Sequence, residues 1–298
     1  MAPEPKARAG GVKPLVAAIG KAVEIGEAPP EKAAPRRPPM PAPRNELKAA
    51  LGRGEVRFGL WMAFAHPTAA EIAARAGYDW CLIDGEHGPN DLPLILSQVQ
   101  AMAGGGAEMC VRVPVGDLRI LKQVLDIGLQ NILVPMVDTP EDAAAMVRAV
   151  RYPGAGLRGV GAAQSRATGY GAIPDYVANA GDEICLMVQL ESRTALDNVD
   201  AIAATEGVDV VFVGPADLAA SLGHLGNPGH PEVQEAIAHA AARIRASGKA
   251  LGMITFDTAG IAPAAEAGAT FIAVGGDVAI YAAGVRTRAK EAARILGR

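Results

Sequence analysis

EICLMVQLE (183–191), SRTALDNVDAIAATEG (192–207) and VDVVFVGPAD (208–217) follow one another without a break: an apolar run, an amphipathic segment and a second apolar run. Apolar runs this short, rich in branched residues, predict strands buried on both faces, and such strands lie parallel only when a crossover helix joins them. The stretch therefore reads as one βαβ unit. Each strand ends on a carboxylate, Glu191 and Asp217, where the chain leaves the apolar interior.

Outward from this unit the same alternation repeats. FGLWMA (58–63), WCLIDGE (80–86), EMCVRV (108–113) and NILVPMV (131–137) precede it, and ALGMIT (250–255) and FIAVGG (271–276) follow it, with amphipathic segments between. Eight pairs predict an α/β fold, a single (β/α)8 TIM barrel over residues 45–298. Helix punctuation agrees. Thr139-Pro140-Glu141-Asp142 supplies a cap, a first-turn proline and first-turn acids, and Gly77, Gly128, Gly248 and Gly268 stand where left-handed C-terminal caps are needed. Two connections are long: residues 156–182, taken to follow the fourth strand, and 215–231 after the sixth. Long loops after strands belong to the catalytic face.

Residues 1–44 differ. Seven prolines between Pro29 and Pro43, with Arg36, Arg37 and Arg44, predict a disordered extension without catalytic role, in which residues 14–27 could form one short helix.

With half of its 298 residues hydrophobic, a net charge of −4 and 4% aromatics, the chain offers neither a basic face nor a stacking platform for nucleic acid. No apolar run approaches the roughly 18–20 residues that span a bilayer. Cys81, Cys110 and Cys185 sit singly in apolar runs, as buried thiols of a cytoplasmic protein do. A small-molecule partner is expected.

Charged residues at strand ends are the informative anomaly, because a barrel interior is apolar. Glu191 and Asp217 leave adjacent strands and can converge on one hard divalent cation, Mg2+, Mn2+ or Co2+. Arg112, ending the third strand, can hold a keto or carboxylate oxygen, or else pair with Asp84 or Glu86. His87 is the natural proton-transfer group, and Asp126 could orient its ring. The barrel's Lys122, Lys249 and Lys290 are not placed for a Schiff base, so enolate chemistry must lean on a metal. Gly275-Gly276 lacks a partner turn for phosphate, GAGLRGVG lacks the dinucleotide context, and His224, His230 and His239 read as loop or surface histidines.

At these residues the chain resembles the HpcH/HpaI class II pyruvate aldolases, most closely the branch that cleaves 4-hydroxy-2-oxoheptanedioate. FGLW, DWCLIDGEHGPND, VRVP, ILVPMV, RYPGAGLRGVG, VQLES, GVDVVFVGPADLAASLG and GNPGHPEVQEAI carry the resemblance across nearly the whole barrel. It implies Glu191 and Asp217 as metal ligands, Arg112 as transition-state stabiliser, His87 as proton acceptor and Asp126 as the group raising its basicity. Gln189 and Ala216 match substrate-contacting positions, and Gly214, Pro215 and Asp217 share that turn. The implied activity is reversible cleavage of 4-hydroxy-2-oxo acids to pyruvate, or hydroxypyruvate, and an aldehyde. A hexamer built as a trimer of dimers, its final helix packed on a neighbour, is also implied. Oxaloacetate decarboxylation at the same site and a catalytically inert metabolite-binding barrel are the alternatives. The chain departs from the family at residues 1–44, at AFAHPT (63–68), which places His66 near the mouth, and at ITFDT (254–258).

Overall fold

The structure is a computed structural model that describes residues 41–298. In chain order the elements are α1 (Glu46–Gly52), β1 (Arg57–Met62), α2 (Pro67–Ala74), β2 (Trp80–Asp84), α3 (Leu92–Met102), β3 (Glu108–Arg112), α4 (Leu118–Asp126), β4 (Asn131–Val134) and α5 (Pro140–Val150). The second half comprises α6 (Tyr176–Asn179), β5 (Cys185–Leu190), α7 (Arg193–Asp197), α8 (Val199–Ala204), β6 (Val210–Val213), α9 (Pro215–Ser221), α10 (Pro231–Ala246), β7 (Ala250–Ile254), α11 (Ile261–Glu266), β8 (Phe271–Gly276) and α12 (Asp277–Ile295). The strands β1 to β8 close into a barrel in sequence order, every neighbouring pair parallel.

Strand alternation sorts the core into two shells. Trp61, Trp80, Leu82, Cys110, Leu133, Met187, Phe212 and Phe271 fill the barrel interior, and Leu47 and Leu51 of α1 close its lower end. The intervening residues, among them Ile83, Val111, Val188 and Val211, pack outward against the helices. This period of two decides where the site lies. One step beyond the inward-facing Leu82, Cys110 and Met187 come Asp84, Arg112 and Gln189, and Glu191 follows one step further. The thiols are inert core groups: burial pushes Cys81 up to about 12 and raises Cys110 and Cys185 well above the ordinary thiol value.

Caps fall where the sequence puts them. Thr139 and Asp142 form a reciprocal capping box on α5, and Gly77, Gly128, Gly248 and Gly268 all have positive φ. Other expectations need correction. The segment SRTALDNVDAIAATEG is not one helix but two, α7 and α8, joined at Asn198. The long connection 156–182 follows α5, not a strand, so it starts at the lower end of the barrel, away from the catalytic face. There Arg166 donates to the Ile127 carbonyl at 2.9 Å, and Tyr176 and Ala180 pack on Ala42.

The expected disorder of the extension, and its short helix, lie outside the described residues over 1–40. Residues 41–44 are anchored: the Ala42 N–H donates to Asn179 Oδ1 at 3.0 Å, and the Pro43 carbonyl accepts from Gln130 at 2.7 Å. Among the described residues no helix is long and apolar enough to cross a membrane.

Candidate active site

At the upper rim, Arg112 is held in a frame of side chains. Its Nε and Nη2 donate to Asp84 Oδ1 and Oδ2 at 2.9 and 2.7 Å. Its Nη1 lies 2.7 Å from Glu86 Oε2, at an angle that makes an ion contact rather than a hydrogen bond. The Trp61 indole N–H donates to Asp84 Oδ2 at 3.0 Å, and the guanidinium carbon sits 4.8 Å from the Trp61 ring centre. Burial alone would raise the Asp84 carboxyl; the Arg112 fork and the indole N–H outweigh it and hold the group below the ordinary carboxylate value. Arg112 thus makes the pairs read as its alternative, and it also lines the cavity.

Glu191 faces this frame from β5. The Met136 N–H donates to its Oε1 at 2.8 Å, and the Gln189 amide donates to its Oε2. Met136 adopts φ 53, a left-handed conformation uncommon for a non-glycine residue, which aims that N–H at the carboxylate. Burial pushes Glu191 up to about 7 despite these hydrogen bonds, and the charges of Asp217 and Glu86 add to the rise. Glu86 is likewise raised, first by burial. Gly214 permits the close approach of β6: a Cβ there would lie 2.6 Å from Glu191 Oε2. Pro215 then starts α9, which puts Asp217 in its first turn.

A cavity of about 440 Å3 opens beside these groups. His87, Arg112, Gln189, Gly214, Pro215, Ala216 and Asp217 line it, as do Trp61 and Asp84. The opposite wall is apolar, with Phe212, Ile254 and Phe256. No lysine lines it among the described residues. Of the expected site residues only Glu191 and Asp126 do not line it; Glu191 accepts from the lining residue Gln189 and lies against Gly214, so the fold brings together all but one. Asp126 is the exception: it ends α4, which runs antiparallel to the strands, at the lower end where β4 begins, whereas His87 follows β2 at the upper end. It pairs with the fully buried Arg158 at 2.8 Å. Within one chain it does not orient His87. His66 is an exposed cap of α2, accepting from the Thr68 N–H at 3.2 Å, and does not line the cavity.

The donor set suits a hard divalent ion. Four carboxylates (Asp84, Glu86, Glu191 and Asp217) share the rim with one guanidinium, and among the described residues no lysine or arginine pairs with Glu191 or Asp217. The buried Gln189 Oε1 has no hydrogen-bond partner. Sequence reading missed Trp61 and Met136. Trp61 ends an inward-facing series in the first strand and could have been flagged; an N–H from a strained turn leaves no mark in composition.

The family model described as HpcH/HpaI aldolase/citrate lyase matches residues 57–283. A hydroxypyruvate/pyruvate aldolase of Deinococcus radiodurans is 54% identical over 245 residues, covering 82% of this chain and 88% of the relative. A 2-keto-3-deoxy-L-rhamnonate aldolase of Klebsiella pneumoniae is 49% identical, covering 80% of this chain and 89% of the relative. A crystal structure of a HpcH/HpaI aldolase/citrate lyase family protein from Burkholderia cenocepacia is 42% identical, with a TM-score of 0.81 over 83% of this chain and 99% of that one. A barrel matched over nearly its full length, and half of its residues shared with named aldolases, place the chain in the HpcH/HpaI aldolase/citrate lyase family as a class II aldolase.

Proposed function

We propose that the enzyme catalyses the reversible cleavage of 4-hydroxy-2-oxo acids to pyruvate, or hydroxypyruvate, and an aldehyde. The observation that carries this reading is the excess of rim carboxylates over cations beside a cavity of about 440 Å3 with one guanidinium in its wall. Glu191 and Asp217 would hold a divalent ion, Mg2+, Mn2+ or Co2+. When bound it would supply the positive charge that a 2-oxo acid's carboxylate and keto oxygens require as the enolate develops.

The chain's own residues do the remainder. Arg112, fixed by Asp84 and Trp61, presents its guanidinium to the keto oxygen with little reorganisation. His87, exposed at the cavity wall, takes the 4-hydroxyl proton through a water as the C3–C4 bond breaks. The bond's electron pair passes to the keto oxygen, the aldehyde departs, and a proton then reaches C3 to give pyruvate. Gln189 and the Gly214-Pro215-Ala216 turn line the pocket for the 2-oxo acid. Asp126 can serve His87 only from a second copy, so its role belongs with the homo-oligomer, a trimer of dimers, that the resemblance implies. An inert binding barrel has no support among aldolase relatives.

Exchange of pyruvate methyl protons in D2O tests the reading. Exchange should require a divalent metal, stop with chelator and be lost in Glu191→Gln. Exchange that survives chelation, or borohydride trapping of substrate on the protein, would overturn it. His87→Ala should lose aldol cleavage while keeping any oxaloacetate decarboxylation.

A further inference from the structure

His224 and His230 match no zinc motif by spacing, yet the turn between α9 and α10 folds one onto the other. Their rings stack with centres 3.6 Å apart and planes inclined by 15°. His224 Nε2 lies 2.8 Å from Glu232 Oε2, and His230 Nδ1 caps α10 by accepting from the Glu232 N–H at 3.3 Å. Ligand atoms of all three residues fall within 4.8 Å of one another.

We propose that His224, His230 and Glu232 form a second metal site, of different chemistry from the rim. Two imidazoles and one carboxylate select a borderline ion such as Zn2+, Ni2+ or Cu2+, whereas Glu191 and Asp217 offer oxygen alone. The place already attracts positive charge: Arg193 Nη2 stands 3.6 Å from Glu232 Oε1. Both of those side chains are more than half exposed, so the contact is weak and readily displaced. Coordination through Nδ1 would take His230 out of its capping role. The start of α10 keeps Pro231 and the first-turn acid Glu232, so the loss there is small.

The site lies outside the cavity but on the segments that carry the rim carboxylates. Arg193 is two residues beyond Glu191, and its N–H donates to Ser221 Oγ at 3.0 Å, at the end of the helix that bears Asp217. An ion on this cluster would tie α10 to both. The inference does not depend on the reaction proposed for the rim.

The chain has five histidines, His66, His87, His224, His230 and His239, and this is the one pair in ring contact. The test is Cu2+ electron paramagnetic resonance on untagged full-length protein in excess Mg2+, which occupies oxygen sites. About one tightly bound Cu2+ should show splitting from two imidazole nitrogens. His224→Gln and His230→Asn, the latter keeping a good cap, should each leave a single-nitrogen pattern and weaken binding by about tenfold or more. His87→Ala should change neither, and pyruvate exchange should be unaltered in His224→Gln. A two-nitrogen pattern that persists in both variants, that vanishes in His87→Ala, or that is replaced by oxygen signals alone would overturn the proposal.

Discussion

Glu191 sits where burial opposes its charge, and this gives it a testable pH signature. Its folded value, about 7, is above the ordinary 4.5, so the metal-free folded state binds more protons than the unfolded chain between those values. Stability of the metal-free protein should therefore fall as pH rises through that window, by up to the order of 3 kcal/mol. Glu191→Gln stays neutral. Urea denaturation in chelator should find it more stable than the parent at about pH 8 and level with it at about pH 4. Equal pH dependence of the two proteins would refute the burial argument. Asp84 carries the opposite case, since Arg112, 6% exposed, depends on it for two hydrogen bonds. Asp84→Asn should cost about 3–5 kcal/mol in the same assay, because it leaves a buried guanidinium poorly compensated. The rim positions of Glu191, Asp217, Arg112 and His87 were legible in the sequence because charge at the end of an apolar run is conspicuous. The Arg112–Asp84 pair was legible too, as an alternative; the closing of the frame by the Trp61 indole was not, because it is a contact between side chains of separate strands.

At the scale of elements, two glycines decide how closely backbone can approach a side chain. A Cβ at Gly214 would crowd the Glu191 carboxylate, so Gly214→Ala should weaken divalent-metal binding by about tenfold or more while leaving the barrel folded. Calorimetric titration with Mn2+ checks this, and unchanged affinity would remove Gly214 from the site. Gly59, in β1, admits the Trp80 ring, which stacks on Phe271 at 3.9 Å between ring centres. An added methyl would lie 2.1 Å from that ring, with backbone just behind it, so Gly59→Ala should destabilise the barrel by about 3 kcal/mol or more. A thermal midpoint like the parent's would contradict this. The strands, the capping box of α5 and the glycine C-caps were readable because each rests on local chemistry. The 156–182 connection was misplaced because an apolar alternation marks strands and helices but not which end of the barrel a loop leaves from. The break at Asn198 and the meeting of His224 with His230 are likewise tertiary outcomes.

At the scale of the whole molecule, one chain leaves an apolar helix face exposed and Asp126 remote from His87. The helix α12 buries none of its residues, and Ile280, Tyr281 and Val285 are exposed along it. Apolar side chains repeated on one helix favour a protein partner, and the resemblance implies a second copy. Asp126 and His87 lie at opposite ends of the same barrel, so they can cooperate only across a boundary between copies. If they do, a protein carrying His87→Ala and one carrying Asp126→Asn are each impaired, but their mixed assembly contains sites with the histidine of one copy and the aspartate of another. Asparagine keeps an acceptor for Arg158, which limits loss of folding. Unfolding and reassembling an equal mixture should restore about a quarter of parental cleavage activity, the fraction expected for random pairing at a shared two-copy site. Light scattering should show an oligomer throughout. A mixture no more active than its components, in an oligomer of normal size, would confine each site to one chain and leave Asp126 a structural partner of Arg158.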